Sequence, residues 1–502
     1  MPPVRLTIHA GTPGPVIDPH IFGHFAEHLG RCIYDGLWVG EGSSVPNTRG
    51  WRNDLVAVLK QIRVPNLRWP GGCFADDYHW REGIGPREKR PQRINAHWGG
   101  VVESNVVGTH EFLDLCEQIG CEPYVAGNVG SGTPRELREW VEYCNAPSGT
   151  LAEERAANGR PKPWKVRLWG IGNETWGCGG NMTSEYYAGE FRRFATYTRD
   201  FPDAPLYRVA SGATNDDYHW TEVMMSLGYK GPLSTVPLMQ GLSLHYYTVP
   251  GSWEKKHPAT PFDLPGWKSV MALGWKMEEL VRGHRAVMDR YDPLAATALV
   301  VDEWGSWYAH EPGTNPGFLH QQQTVRDAVL AALHLNIFIN HCERVRIANL
   351  AQTVNVLQAL ALTEEGGGRL VLTPTWYVFA LYAAHQGAKR LRVETNAKNL
   401  KHDGREYPAV SATASQAADG SVNLTVCNTD SESPVELELV LEGRPPKIPT
   451  AQVIAAEQLT LCNTFERPGA VVVKSLDRLW DKGFGVHAVL PPGSVAAFRF
   501  AG

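Results

Sequence analysis

Trp169-Gly170-Ile171-Gly172-Asn173-Glu174-Thr175-Trp176-Gly177-Cys178-Gly179-Gly180 is the stretch on which the fold turns. Just ahead of it, residues 164–168 alternate bulky apolar with basic side chains, the period-two pattern of a strand. Just after it, residues 184–197 carry a helical pattern. A strand, a Gly-rich turn bearing Asn173 and Glu174, and then a helix make one β/α unit. A carboxylate and an amide at the C-terminal mouth of a buried strand, flanked by Trp169 and Trp176, suit chemistry on a polar ligand with flat apolar faces. The plainer reading is a capping Asn and a surface Glu on an ordinary loop, and the rest of the chain decides between the two.

The same unit repeats on both sides. Strand patterns fall at 21–27, 66–69, 123–128, 166–174, 207–211, 242–247, 298–303 and 345–351. Helical patterns follow at 54–61, 110–119, 134–144, 184–197, 218–227, 269–289, 324–340 and 375–385. Eight such units are what a closed (β/α)8 TIM barrel requires, so residues 19–388 are expected to form one; a doubly wound open sheet is the weaker fit. Beyond Gly387 the texture changes to short alternating segments between Gly, Pro, Asn and Asp turns, the pattern of a β-sandwich of jelly-roll type over 389–502. Val4, Leu6 and Ile8 alternate with Arg5, Thr7 and His9 outside the barrel count, which assigns residues 1–18 to the sandwich.

Composition narrows the function. A net charge of −5 offers no basic surplus to neutralise phosphates, so no nucleic-acid partner is expected. No 18-residue apolar run and no signal-peptide pattern occur, which points to a cytoplasmic protein without a membrane partner. The nine Cys are scattered with no C-x-x-C pair; neither a disulfide framework nor a zinc ribbon is expected, and a reducing compartment is favoured. Seventeen Trp and seventeen Tyr supply amphipathic surfaces for a small ligand, though core packing uses the same residues.

In a barrel, the C-terminal ends of the strands face the active site. Those ends carry Glu27 and His28, Arg68, Asn128, Asn173 and Glu174, His245 and Tyr247, Glu303, and Gln352. Glu174 and Glu303 close the fourth and seventh strands and face each other across the mouth. Two carboxyls flanking one bond are the requirement of glycoside hydrolysis, one protonated and one ionised. Mutual repulsion and unequal surroundings separate their roles.

Here a resemblance becomes specific. Phe22-Gly-His-Phe-Ala-Glu-His-Leu-Gly-Arg31, Leu67-Arg-Trp-Pro-Gly-Gly-Cys-Phe74, Gly170-Ile-Gly-Asn-Glu-Thr175, Ser243-Leu-His-Tyr-Tyr247, Val301-Asp-Glu-Trp304 and Leu350-Ala-Gln-Thr-Val-Asn-Val356 resemble, in order, the α-L-arabinofuranosidases of glycoside hydrolase family 51. The resemblance implies a retaining, exo-acting enzyme that removes terminal α-L-arabinofuranosyl units from arabinoxylan, arabinan or their oligosaccharides. It implies Glu174 as acid/base and Glu303 as nucleophile. Asn173 would hold the sugar 2-hydroxyl, Tyr247 would hydrogen-bond the nucleophile, and Glu27 and Gln352 would anchor other hydroxyls. Trp98 and Trp307 would shape the pocket, with Arg68 and His245 as supports. Cys73 stands where relatives often have an Asn that touches the sugar, so a weaker contact is expected there. No cofactor and no metal are expected, and the resemblance implies a homo-oligomer, often a hexamer.

Rival readings have their own signals. Activity on β-xylosides or β-glucans is the nearest, and loops 75–105, 248–268 and 305–320 would decide it along with exo or endo action. A sugar-binding protein on a retired barrel fits poorly with both carboxylates and their supports. His24-Phe-Ala-Glu27-His28 matches the inverted zinc-peptidase motif, which works only on a helix. On a strand the two His stand too far apart for one ion, at a rise of about 3.3 Å per residue. Gly130-Ser-Gly132 and Gly170-x-Gly172 complete no nucleotide loop, and Cys178 has no placed His partner that would activate it.

Overall fold

The computed structural model describes residues 2–231, 236–443, 447–483 and 485–502. Eight strands, Gly23–Phe25, Asn66–Trp69, Glu122–Gly127, Leu168–Ile171, Tyr207–Thr214, Gly241–Thr248, Ala298–Ser306 and Val345–Ala351, form one closed barrel. Each pairs in parallel with its neighbours, and the eighth returns to the first through Asn349 opposite Gly23. Parallel strands covered by helices are buried on both faces, which is why they read as near-continuous apolar runs. Inside the cylinder, Tyr124, Leu168, Val209, Ala298, Val300 and Ile347 pack as a separate layer beneath the mouth.

The predicted strands are all present with shifted ends, and one shift is a correction. Residues 164–168 are not a strand; pairing begins only at Leu168. Lys165 sits at φ 63, a left-handed conformation that interrupts an extended run, and Pro163 precedes it. The helices begin where local capping dictates. Thr133 caps Pro134–Asn145, accepting from the Glu136 amide, and Asp263 caps the long helix Leu264–Tyr291 through Gly266. That cap starts the helix five residues earlier than its apolar pattern suggests. The pattern at 218–227 divides into an α-helix, Tyr218–Val223, and a π turn, Met224–Gly228. The helix Thr150–Ala157 lies outside the eight-unit count and carries only a weak apolar stripe.

The C-terminal strands form two sheets of five and six strands over a shared apolar core that includes Leu6 and Ile8. The strand Val4–Ile8 lies antiparallel to Val393–Thr395 and parallel to Val435–Leu441. The hairpin Asn399–His402 with Arg405–Pro408 and the strands Leu479–Lys482 and Gly485–Leu490 were not legible as strand patterns. Helix Val325–Asn340 is buried along its length between barrel and sandwich. Its Asn336 amide donates to Ser411 Oγ at 3.2 Å, and His385 contacts Ser415 and Thr425 at 2.7 and 3.1 Å. Among the described residues no helix is long and apolar enough to cross a membrane.

Candidate active site

The strand ends converge on a cavity of about 450 Å³ at the barrel mouth. Glu27, Cys73, Trp98, Glu174, His245, Tyr247, Glu303, Trp307 and Gln352 all line it. Trp98, Trp253 and Trp307 come from the three loops expected to shape it. Arg68 and Asn173 lie just behind.

Glu303 is held from two sides. Arg68 Nη1 donates to its Oε1 at 2.8 Å and the Tyr247 hydroxyl donates to its Oε2 at 2.8 Å. The second guanidinium nitrogen of Arg68 donates to Asn173 Oδ1 at 2.7 Å. That bond fixes which way the amide faces, and Asn173 Nδ2 is left buried beside Gly72 without a partner among the described residues. A buried donor of this kind is costly unless a ligand accepts from it.

Glu174 stands on the loop after the fourth strand at φ 41, a strained position for a residue with a Cβ, and the amides of Gly177 and Gly179 close back onto its carbonyl. His245 Nδ1 lies 2.9 Å from its Oε1, and His245 Nε2 lies 3.1 Å from Asp302 Oδ1. Burial pushes the Glu174 carboxyl up and the Glu303 charge adds to it, against the His245 hydrogen bond. Although burial opposes its charge, His245 is raised to about 10 by Glu303, Asp302 and Glu174, so both ring nitrogens donate. One carboxylate oxygen of Glu174 and one of Glu303 lie within 4.8 Å of each other.

On the opposite wall, Glu27 Oε1 accepts from the amides of Gly72 and Phe74 and from Trp98 Nε1 at 2.9 Å, while Gln352 Nε2 donates to its Oε2 at 3.0 Å. Burial and the Glu303 charge raise the Glu27 carboxyl to about 7. The turn at Gly71 and Gly72 runs so close that a Cβ on Gly72 would sit 2.7 Å from Glu303 Oε1. The edge of Trp307 meets Tyr247 at a centroid distance of 5.1 Å.

Two acids of this network escaped the sequence reading. Asp302 accepts from the Tyr124 hydroxyl at 2.7 Å as well as from His245. Burial opposes its ionisation, yet Arg68 and His245 hold it down to about 2. Strict alternation would turn Asp302 and Glu303 to opposite faces, but the pairing register shifts between Val301 and Trp304 and both reach the interior. Asp76 accepts from the amides of Val129, Gly130 and Asn173 at 2.7–2.8 Å, tying the loops after strands two, three and four. The only hint in the sequence is an acidic pair, Asp76-Asp77, after a Gly-Gly turn.

The cysteine expectation is corrected. Cys73 and Cys178, 105 residues apart, form a disulfide, with Sγ atoms 3.9 and 3.6 Å from Glu174 Oε2. Scattered spacing gave no sign of the pair, because only the fold brings the loops after strands two and four together. The other seven cysteines are free. The zinc motif also dissolves on a strand. His24 packs on Phe379 at 4.5 Å outside the barrel, whereas His28 contacts Glu103 at 2.9 Å and accepts from Trp69 Nε1 at 3.0 Å.

Comparison with known proteins places this geometry. A family model for the α-L-arabinofuranosidase 1 domain matches residues 58–258, and one for the α-L-arabinofuranosidase C-terminal domain matches 302–494. An intracellular exo-α-L-arabinofuranosidase of Bacteroides ovatus is 46% identical over 93% of this chain and 89% of its own. The crystal structure of a GH51 arabinofuranosidase from Xanthomonas axonopodis pv. citri superposes with a TM-score of 0.96 at 47% identity, covering 99% of both chains. An α-L-arabinofuranosidase from Thermotoga maritima, solved as an arabinose complex, gives 0.85 at 29% identity over 99% of this chain and all of its own.

Proposed function

The chain belongs to the glycoside hydrolase family 51 α-L-arabinofuranosidases, and we propose that it is a retaining, exo-acting member. Glu174 protonates the glycosidic oxygen while Glu303 attacks the anomeric carbon, giving a covalent arabinofuranosyl-enzyme. Glu174 then takes a proton from water, which displaces Glu303 with net retention. The observation that carries this reading is that one carboxylate oxygen of Glu174 and one of Glu303 lie within 4.8 Å of each other. Retaining pairs stand about 5–5.5 Å apart and inverting pairs roughly 6.5–9.5 Å, because the latter must admit a water.

The remaining residues take roles that their contacts support. Arg68 and Tyr247 hold and aim Glu303 through their hydrogen bonds to its two oxygens. The free Nδ2 of Asn173 meets the sugar 2-hydroxyl, and Glu27 with Gln352 takes hydroxyls on the far wall. Trp98 and Trp307 bound the ring, and the Cys73–Cys178 bridge borders the Glu174 side in place of a polar contact. Residues 19–388 serve as the catalytic unit and 1–18 with 389–502 as its sandwich. Terminal units of arabinoxylan, arabinan or their oligosaccharides are the substrates, acted on inside the cell by a homo-oligomer, up to a hexamer.

The deciding experiment follows hydrolysis of an aryl α-L-arabinofuranoside by proton NMR. The first-formed sugar is expected to be the α anomer, and appearance of the β anomer would overturn the retaining assignment. Parallel assays on β-xylosides, glucans, arabinan and arabinoxylan test the substrate class, and light scattering tests the assembly.

A further inference from the structure

The proton donor faces the oxygen of the leaving group, so the aglycone departs past Glu174. Glu27 and Gln352 end strands one and eight, on the other side of the mouth. On the side of strand two the Cys73–Cys178 bridge joins the loops after strands two and four, and the cavity extends the other way, over strands five and six. That sector is lined by Thr214 and Tyr246 from the strands, Asn215 just past the fifth strand, Leu273 and Lys276 from the long helix, and Arg405. Among the described residues that line the cavity, Arg405 alone comes from the sandwich, at the turn of the hairpin whose strands pack on the long helix.

Other polar groups of this sector have partners of their own, and Asn215 Nδ2 donates to Thr214 Oγ1 at 3.2 Å. The Tyr246 hydroxyl donates to Leu273 O at 2.6 Å, and Lys276 Nζ lies 3.5 Å from Asp216. Within the hairpin, Lys401 and Asn399 share Glu406 at 2.7 and 3.1 Å. Arg405 is exposed at the cavity rim and has no carboxylate partner among the described residues. A guanidinium offers five N–H donors in a planar fork, suited to adjacent hydroxyls of a sugar.

We propose that Arg405 is a specificity residue: the sandwich hairpin places its guanidinium over the departing side of the cavity, where it binds hydroxyls of an oligosaccharide aglycone. The inference rests on the glycosidase reading of Glu174 and Glu303 and deepens it. The preferred substrate is an arabinofuranosyl unit borne by at least two further sugars, and a small aryl aglycone does not reach the full contact.

The test compares kcat/KM for 4-nitrophenyl α-L-arabinofuranoside and for a linear arabinotriose. Arg405→Ala is expected to lower the ratio of trisaccharide to aryl activity by about tenfold, chiefly through KM, as loss of a charged hydrogen bond does. Arg405→Lys should recover part of that ratio. A merely structural role would lower both activities by one factor and reduce the thermal midpoint, and that result overturns the proposal, as does an unchanged ratio. Should Arg405→Ala fail to fold, Arg405→Gln keeps the side-chain stem and gives the same reading. If the unaltered enzyme cleaves neither substrate, the glycosidase reading fails instead.

Discussion

Glu174 and Glu303 are the same side chain in two unlike settings. Glu303 lies within a barrel strand, 7% exposed, with a guanidinium on one oxygen and a phenol on the other. Glu174 lies on a left-handed loop residue, 18% exposed, with an imidazolium on one oxygen and two sulfurs near the other. Donors on both oxygens fix the orientation of a carboxylate that must attack along one line. Burial and the Glu303 charge raise the Glu174 carboxyl against the one imidazolium donor, as a proton donor requires. The lesson is that role follows from the loop or strand beneath a carboxyl as much as from its neighbours.

The sharpest way to break this contrast is to remove each acid in turn. Glu303→Ala should lose at least about 10⁴-fold in kcat on every substrate. Azide should restore part of it and yield the inverted glycosyl azide, read by NMR. Glu174→Ala should lose about 10²–10⁴-fold on oligosaccharides, less on a nitrophenyl glycoside whose leaving group needs no proton. Its azide product should keep the substrate configuration. Exchanged azide products would reverse the two roles.

Smaller effects sharpen it. Tyr247→Phe removes a hydrogen bond to a charged group and should cost about tenfold to a hundredfold in kcat. An effect on KM alone would place Tyr247 on the sugar instead.

The pH dependence has a definite sign. His245 favours the Glu174 anion, so His245→Asn should move the basic limb of kcat/KM to higher pH; a shift to lower pH would show that another group sets it. His245 itself is raised from 6.5 to about 10. Its contribution to stability is therefore whole below about pH 6.5 and is lost as the pH climbs through about 10. The thermal midpoint should fall over that window, and His245→Asn should flatten the fall.

The smallest change is expected from the bridge. Cys178→Ser should lower the thermal midpoint by about a few degrees, since the closed loop is long. Turnover should drop by only a few-fold, because Glu174 keeps His245.

Most of the barrel was legible because parallel strands bury both faces and their helices announce themselves by caps and period. Glu174 and Glu303 were legible because the strand patterns at 166–174 and 298–303 end on them. What stayed hidden depends on register and long-range approach. Asp302 reaches the site only through a slip in pairing, Asp76 acts by gathering three loops, and Cys73 meets Cys178 only after folding. Arg405 belongs to a hairpin that no alternation marked, in a segment remote from the barrel in sequence.

The strand Val4–Ile8 has a consequence for synthesis. Its salt-bridge partner to Arg5, Glu438, lies 433 residues downstream. At about 5–20 residues per second, translation keeps this strand waiting for roughly 20–90 seconds before its neighbours exist. The barrel can assemble on the ribosome in that interval, whereas the sandwich closes only after its strand Ser494–Phe500 has been made.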